Sequence, residues 1–471
     1  MTDQPRTRQE LYERVRQIGK EQFILEEMIR YGFWPSEGTM PEDPADEIRR
    51  RSEITRELQE LRQQGNRLQD EENLKKQQLK QRLEESRRKR QETKERRERD
   101  RLQRTEAWKQ KKEQDIIYLG EDVSAGLNNI EGIEERLQSY GLPLCNNAQQ
   151  IATAMGITIG KLRFLAFNRK TSTVSHYIRF KMPKKTGGER IISAPMPHLK
   201  QAQYWILENI LNKIELHEAA HGFRPQRSII TNAAPHVGAH VVINFDLKDF
   251  FPSISYKRVK GLFQSFGYSE ASATIFALIC TAAEHETVEL DGKIYYVALD
   301  ERHLPQGSPA SPAITNLLCR RLDRRLQGMA EKMAFTYTRY ADDLTFSASG
   351  NSDRYICNIL KRTESIVTHE GFTINQSKTK ILRNSRQQEV TGVVVNQKLN
   401  IDRKTLKRFR ATLHQIEKDG LEGKSWGHSK NLISAITGFA NFVIMVNPEK
   451  GAEFKEQVRR IKEKYLRRGG E

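Results

Sequence analysis

The sequence predicts a mixed α and β fold, with helices at both ends and an antiparallel sheet between them. Apolar residues recur at helical spacing near the N-terminus, strand-like segments separated by turns occupy the middle, and basic helical patterns follow residue 400. A chain of 471 residues exceeds one ordinary domain. We expect four regions, at residues 1–114, 115–240, 241–399 and 400–471.

The composition indicates a polyanionic partner. There are 79 Lys and Arg residues against 61 Asp and Glu, a formal net charge of +18, which favours nucleic acid. The four cysteines are scattered, so neither a zinc site nor a disulfide framework is indicated, and we expect a cytoplasmic location. No apolar signal core begins the sequence and no apolar run is long enough to cross a bilayer, so we expect no membrane contact.

The first region, residues 1–114, has helical patterns throughout. An apolar stripe ends at Gly32, a linker spans residues 35–46, and a short heptad seam follows, formed by Ile54, Leu58, Leu61 and Leu68. Residues 75–113 then contain 17 Lys and Arg but only 8 Asp and Glu. This segment predicts a long solvated helix or a partly disordered one. Its charges indicate either a hydrated face or an RNA-contacting arm.

The second region, residues 115–240, begins with short helical segments and continues into a predicted β-hairpin. The strands HYIRFKMPKK and GERIISAP are joined by a basic, glycine-bearing tip that contains Lys184 and Lys185, with Arg190 just beyond it. Such a tip can fold over a triphosphate, although an ordinary hairpin would have the same pattern.

Three aspartates suggest a cation site in the third region. The apolar strand Val241–Phe245 ends at Asp246, while Asp342 and Asp343 lie side by side between the strand-like segments TYTRY and LTFSAS. Aspartates also suit a hairpin turn. Buried carboxylates are costly unless they are paired or bind a cation, and Mg²⁺ prefers carboxylate and phosphate oxygens. The trio therefore predicts two-metal phosphoryl transfer, with Gln306 and Gly307 bordering a nucleotide.

Three motifs in this region together resemble the reverse transcriptases. They are FDLKDFFPSI, LPQGSPASP and YADD, in that order and about 60 and 35 residues apart. The resemblance covers residues from about 160 to 465 and implies a right-hand polymerase fold with fingers, an antiparallel palm sheet and a basic helical thumb. It also implies an RNA-directed DNA polymerase that uses two Mg²⁺ ions and dNTPs.

The same resemblance assigns individual residues. It implies that Asp246, Asp342 and Asp343 are the metal ligands and that Phe251 excludes a nucleotide 2′-hydroxyl. Gln306 would meet the incoming nucleotide. The residues around the triphosphate would be Lys184, Lys185 and Arg190.

Two further segments resemble the retron reverse transcriptases. TNAAPHVG contains Asn232, Ala233 and His236, and QEVTGVVVN contains Val390, Thr391 and Gly392. This resemblance implies branched, RNA-linked DNA, primed by a guanosine 2′-hydroxyl of a cognate structured non-coding RNA. It further implies an effector protein and a role in phage defence.

Alternatives remain open on the sequence alone. His236 could cap a helix, and Val390 could simply begin a strand. The chain could be another bacterial reverse transcriptase, of the diversity-generating, abortive-infection or intron type. It could also be a catalytically idle scaffold that only binds RNA, although its intact aspartates argue against this.

Overall fold

A computed structural model describes residues 7–18, 23, 27–28, 30–33, 54, 57–58, 61, 71–183, 188–350, 352–427, 429 and 431–466. The chain forms two compact units. The first comprises Met1–Asn128, Asn147–Thr153 and Ile157–Phe164, and the second comprises Asn129–Asn146, Ala154–Gly156 and Leu165–Glu471. Within the described ranges, every helix is too short or too polar to cross a bilayer.

The first unit is dominated by one long helix. Its helices are α1 (Arg8–Ile18) and α2 (Glu71–Gln114), together with most of α4 (Ala148–Met155) and α5 (Ile159–Ala166). Helix α2 has 44 residues and is about 66 Å long at 1.5 Å per residue. The structure thus forms a helix where the sequence also allowed disorder. Leu68 of the heptad seam lies outside the described residues, so the coiled coil remains a prediction.

Aromatic side chains fix the C-terminal end of α2 within this unit. The ring of Phe33 contacts those of Trp108 and Tyr118, at centroid distances of 5.6 and 5.5 Å. The segment after the helix buries Ile116 and Leu119. Most side chains between residues 79 and 107 of α2 are exposed, so the described packing of this helix lies at its C-terminal end.

The second unit combines antiparallel sheets with packed helices. Its strands are β1 (Thr171–Ser172), β2 (Tyr177–Pro183), β3 (Glu189–Pro195), β4 (Val241–Asp246), β5 (His285–Leu290), β6 (Lys293–Ala298), β7 (Thr336–Tyr340), β8 (Asp343–Ala348), β9 (Lys380–Arg383), β10 (Glu389–Val390) and β11 (Val393–Val394). Its helices before the C-terminal region are α3 (Glu134–Ser139), α6 (Pro197–Asn209), α7 (Ile229–Ala233), α8 (Tyr256–Ser265), α9 (Glu270–Cys280), α10 (Ser311–Leu318), α11 (Arg320–Lys332) and α12 (Ile356–His369).

A four-stranded antiparallel sheet forms the centre of this unit. The strand order is β7-β8-β4-β9, which confirms the predicted sheet. Strand β4 is VVINFD, and its apolar residues Val241, Val242, Ile243 and Phe245 are all buried. A central strand of this composition is stabilised by burial on both faces. The sheet is therefore a rigid support for the polar residues at its edge.

Three smaller sheets accompany the central one: β2-β3, β1-β6-β5 and β10-β11. Strands β2 and β3 pair from Tyr177–Pro195 to Pro183–Glu189, which confirms the predicted hairpin. Its tip residues Lys184 and Lys185 lie outside the described residues. The sheet β1-β6-β5 was not predicted, although Asp291 and Gly292, with φ of 52° and 68°, form the Asp-Gly turn that typically joins two such strands.

Three C-terminal helices confirm the predicted helical region. They are α13 (Arg403–Asp419), α14 (Leu432–Val446) and α15 (Pro448–Leu466). Asp402 and Asn431 cap the first two by accepting backbone N–H bonds. The ring of Phe409 contacts those of Trp426, Phe439 and Phe454, with centroids 4.6–5.2 Å apart. An aromatic core thus holds the three helices together, of which α13 and α15 are rich in Lys and Arg and α14 has neither.

Candidate active site

Asp246 and Asp343 lie directly opposite each other where the two central strands of the sheet, β4 and β8, meet the same end of the sheet. Asp246 is the last residue of β4, Asp343 is the first of β8, and the two are paired in the antiparallel register. Asp342 precedes Asp343 in the turn from β7, because Tyr340 pairs with Asp343. The fold therefore brings together the three aspartates that the sequence singled out, across almost 100 residues of chain.

The turn before Asp342 is held in an unusual backbone conformation. Ala341 has φ of 56°, a region that non-glycine residues rarely occupy. The backbone N–H of Leu247 donates to the carbonyl oxygen of Asp342 at 3.0 Å, so β4 and the turn are tied together beside the carboxylates. A Cβ on Gly222 would stand 2.6 Å from the backbone nitrogen of Ala341, so only glycine fits there.

A buried polar network supports the same turn from behind. Arg339 Nη1 donates to the carbonyl oxygen of Ala341 at 3.1 Å and to Asn316 Oδ1 at 3.0 Å. The amide of Asn316 in turn donates to the carbonyl oxygen of Gly222 at 2.8 Å. These residues were not predicted from the sequence, where the local signal is an arginine in a strand otherwise made of Thr and Tyr.

The electrostatics of the aspartates favour a bound cation. Burial, followed by repulsion from the carboxylates of Asp342 and Asp246, raises the pKa of Asp343 to about 7. Burial also raises the pKa of Asp342. Lys378 lies beside them, with Nζ 2.9 and 3.1 Å from the two carboxylate oxygens of Asp246. Crowded carboxylates of this kind are stabilised by positive charge.

The donor set fits a divalent metal ion in chemistry. Hard divalent cations prefer carboxylate oxygens, and reverse transcriptases, the family that the motifs resemble, generally use such ions. Among the described residues, no three acidic, histidine or cysteine side chains are already gathered as a metal cluster. In this arrangement, Lys378 neutralises Asp246 instead.

The predicted nucleotide-side loop packs against the β2–β3 hairpin. The carbonyl oxygen of Gln306 accepts the backbone N–H of Ser193 at 2.7 Å. Gly307 has φ of 115°, and a Cβ there would stand 2.8 Å from the carbonyl oxygen of Ser193. The positive charge of Arg190, on β3, lowers the pKa of Asp342 and so partly offsets the effect of burial. The hairpin therefore contacts the loop, and its Arg190 lies close enough to Asp342 to act on it electrostatically.

Phe251 is held by two other aromatic rings. Its centroid is 5.6 Å from that of Phe250 and 6.3 Å from that of Phe223. Phe223 also lies 6.4 Å from Tyr340, the residue before the aspartate-bearing turn. This stack fixes a half-buried ring in the segment that directly follows Asp246.

The segments of Asn232 and Val390 meet in the structure. Asn232 Nδ2 donates to Thr391 Oγ1 at 3.4 Å, and Val390 is fully buried in the same apolar cluster as Ala233. Thr391 and Gly392, with φ of 47° and 83°, form a two-residue turn between β10 and β11. A β-branched residue at positive φ is strained, and such strain tends to occur at functional sites.

His236 lies in the interior, beneath the central sheet. It is fully buried, with Nδ1 2.6 Å from Ser347 Oγ and Nε2 2.7 Å from Thr338 Oγ1. Burial lowers its pKa to about 3, so the ring is neutral at physiological pH. His236 therefore fastens the Asn232 segment to β7 and β8.

Comparison with known proteins agrees with this geometry. Residues 182–395 match the family described as reverse transcriptase (RNA-dependent DNA polymerase). Retron Mx162 reverse transcriptase from Myxococcus xanthus is 40% identical over 358 residues, which are 73% of this chain and 72% of that protein. Retron Ec86 reverse transcriptase from Escherichia coli is 35% identical over 331 residues, which are 70% of this chain and 94% of that protein. The chain therefore belongs to the retron reverse transcriptases and is an RNA-directed DNA polymerase.

Proposed function

We propose that this enzyme copies a cognate structured non-coding RNA into single-stranded DNA that stays joined to the RNA through a 2′,5′ branch. Synthesis starts on the 2′-hydroxyl of a guanosine within the RNA, in the cytoplasm. The product serves in phage defence together with an effector protein. The contact between Asn232 and Thr391 is the observation that best supports this function, because it joins the two retron-specific segments at one place.

In the proposed reaction, Asp246, Asp342 and Asp343 hold two Mg²⁺ ions. When bound, these ions activate the attacking hydroxyl and stabilise the pyrophosphate that leaves the dNTP. Lys378 must then release the carboxylate of Asp246, to which it is bound in the structure. Arg190, Lys184 and Lys185 bind the triphosphate, and the loop at Gln306 and Gly307 borders the nucleotide. Phe251 excludes the ribose 2′-hydroxyl.

Priming on an internal hydroxyl makes RNA placement the central requirement. The same site can extend a 2′-hydroxyl or a 3′-hydroxyl, provided that the hydroxyl lies in line with the α-phosphate. Among the residues that mark the two segments, Thr391 and Gly392 reach the surface, whereas Asn232, His236 and Val390 are buried. We assign contact with the RNA to the turn of Thr391 and Gly392. The buried residues Asn232, His236 and Val390 then hold that turn in position.

The predicted regions acquire proposed roles on this basis. Residues 115–240 supply fingers, 241–399 the palm and 400–471 a thumb that grips the heteroduplex through its backbone. Residues 1–114 form a helical extension.

The experiment compares two starting points for synthesis. Thr391→Asn and Gly392→Asn each introduce asparagine, which tolerates positive φ. The backbone of the turn is therefore preserved while its surface changes. His236→Ala is less informative, because it also opens a cavity. We expect both turn variants to lose self-primed synthesis on the cognate RNA and to retain extension of a supplied 3′ primer. Equal self-priming by the variants and the native enzyme would remove the turn from RNA placement.

The product itself provides the decisive measurement. DNA isolated with the native enzyme and its RNA should have a 5′ end that stays attached to RNA until a debranching enzyme cuts it. A free 5′ end, or an end joined to a protein side chain, would contradict the proposed priming.

A further inference from the structure

The positive charge of helix α2 is confined to one stripe. Starting at residue 76, alternating steps of four and three residues visit eleven positions up to residue 111, and nine of them are Lys or Arg. The other two are Leu83 and Trp108, and none is acidic. Residues three and four apart are neighbours on a helix surface, so these positions form a continuous face. Six exposed members occupy its middle: Arg87, Arg90, Lys94, Arg97, Arg101 and Arg104.

The rest of the helix is electrically balanced. Between residues 75 and 113, the positions outside the stripe hold eight basic and eight acidic residues. Oppositely charged side chains pair there, as Arg88 does with Glu92 at 3.5 Å. The stripe therefore accounts for the whole basic surplus of this segment. A helix that only needed hydration would gain nothing from such segregation, because mixed pairs three and four residues apart stabilise a helix better.

The chemistry of the stripe matches a nucleic-acid backbone. Its six central side chains extend over about 25 Å at 1.5 Å per residue, and guanidinium and ammonium groups bind phosphate oxygens. No Phe, Tyr or Trp occurs between residues 75 and 107. Proteins that hold single strands usually stack bases on aromatic rings, so this face is suited to a duplex. Two copies of the stripe would repel each other, which argues against self-pairing of the helix.

We propose that this face of α2, which we call the basic stripe, binds the phosphate backbone of double-stranded RNA. The inference rests on the proposed function only in taking structured RNA as the partner. The basic stripe gives the enzyme a second RNA-binding surface, which recognises shape and charge but no base sequence. It adds affinity that depends on salt, and it does not participate in nucleotide addition.

Two matched variants of the full-length protein test the proposal. In the stripe variant, Arg87, Arg90, Lys94, Arg97, Arg101 and Arg104 are replaced by Gln. In the control variant, the replaced residues are Arg82, Arg88, Lys89, Arg96, Arg99 and Lys109. Both lose six positive charges from the same helix, and glutamine preserves helix propensity. Binding to an RNA hairpin long enough to span the stripe is measured between 50 and 200 mM salt.

We expect the stripe variant to bind the hairpin at least about tenfold more weakly and with a shallower salt dependence, because each neutralised phosphate contributes about one unit of slope. The control should change by less than about threefold. Equal losses in the two variants, or none in either, would overturn the proposal. Tighter binding of the native protein to a DNA duplex of the same sequence would overturn RNA as the partner. Extension of a supplied primer by both variants, measured in parallel, tests the polymerase separately from the stripe.

Discussion

Arg339 and Asp323 form a bidentate ion pair in the interior of the second unit. Arg339 Nε lies 2.8 Å from Asp323 Oδ1 and Nη2 lies 2.8 Å from Oδ2, and both residues are fully buried. The hydroxyl of Tyr337 donates to the same carboxylate at 2.9 Å. Because Arg339 also donates to the carbonyl oxygen of Ala341, the pair connects helix α11 to the turn that carries Asp342 and Asp343.

Removing one partner of this pair should be strongly destabilising. Asp323→Ala leaves the guanidinium of Arg339 buried without its counter-charge, and such changes cost about 3–5 kcal/mol. Chemical denaturation measures the free energy of unfolding. The control is Glu270→Ala, which breaks the more exposed pair with Lys260 and should cost about 1 kcal/mol or less. Similar losses in the two variants would show that Arg339 finds another partner.

The central sheet and its aspartates could be predicted because the sequence patterns that indicate them are local. An apolar strand ends at Asp246, and two strand-like segments flank Asp342 and Asp343, so each element was visible within a few residues of sequence. The β2–β3 hairpin was predictable for the same reason. The β5–β6 hairpin has an equally local signal, the Asp291–Gly292 turn, which the sequence analysis did not use.

Contacts between distant residues could not be predicted. The bond between Lys378 and Asp246 joins residues 132 positions apart, so no local pattern in the sequence indicates it. The burial of His236 likewise depends on Thr338 and Ser347, which are more than 100 residues away. In both cases the contacts of the side chain are decided by tertiary packing rather than by local sequence preference.

The role proposed for Asp342 and Asp343 in catalysis should be separable from RNA binding. Asp342→Asn combined with Asp343→Asn removes the charges that hold the metal ions, and the loss of several kcal/mol of transition-state stabilisation should abolish DNA synthesis. RNA binding depends on many phosphate contacts elsewhere, so the dissociation constant should be nearly unchanged. Primer extension and filter binding measure the two properties. Synthesis at the native rate would contradict the metal assignment.

Phe251→Ala should admit ribonucleotides. In the proposed site the ring stands where a 2′-hydroxyl must fit, and it packs edge-on and tilted against Phe250 and Phe223. The ratio of kcat/KM for a dNTP to that for the matching rNTP should therefore fall, mainly because rNTP use rises. Phe223→Leu is the matched control, since it loosens the stack but retains the Phe251 ring. An unchanged ratio in Phe251→Ala would assign the exclusion to another residue.

His236 should make folding stability depend on pH. Its folded pKa of about 3 lies below the ordinary value of 6.5, so the unfolded chain binds more protons between these values. Stability from this residue is therefore complete above about pH 6.5 and is lost as pH falls toward 3, by about 1.4 kcal/mol per pH unit. Because other groups titrate in this range, the measurement is the difference in unfolding free energy between the native protein and His236→Asn. Parallel pH curves for the two proteins would show that the ring is not kept neutral by burial.

Removing residues 1–114 should separate assembly on RNA from polymerisation. Asp246, Asp342 and Asp343 all lie in the second unit, so extension of a generic primer on a short RNA template should remain largely intact. Binding to long structured RNA should weaken, because the deletion removes α2 with its basic stripe.

Deletion of residues 1–70 is the control: it retains the whole of α2 and should retain that binding. Both deletions remove Phe33 and the longer one also removes Trp108, so circular dichroism must first show that each remaining chain is folded. If a folded protein lacking residues 1–114 failed to extend the generic primer, the N-terminal region would be part of the polymerase itself.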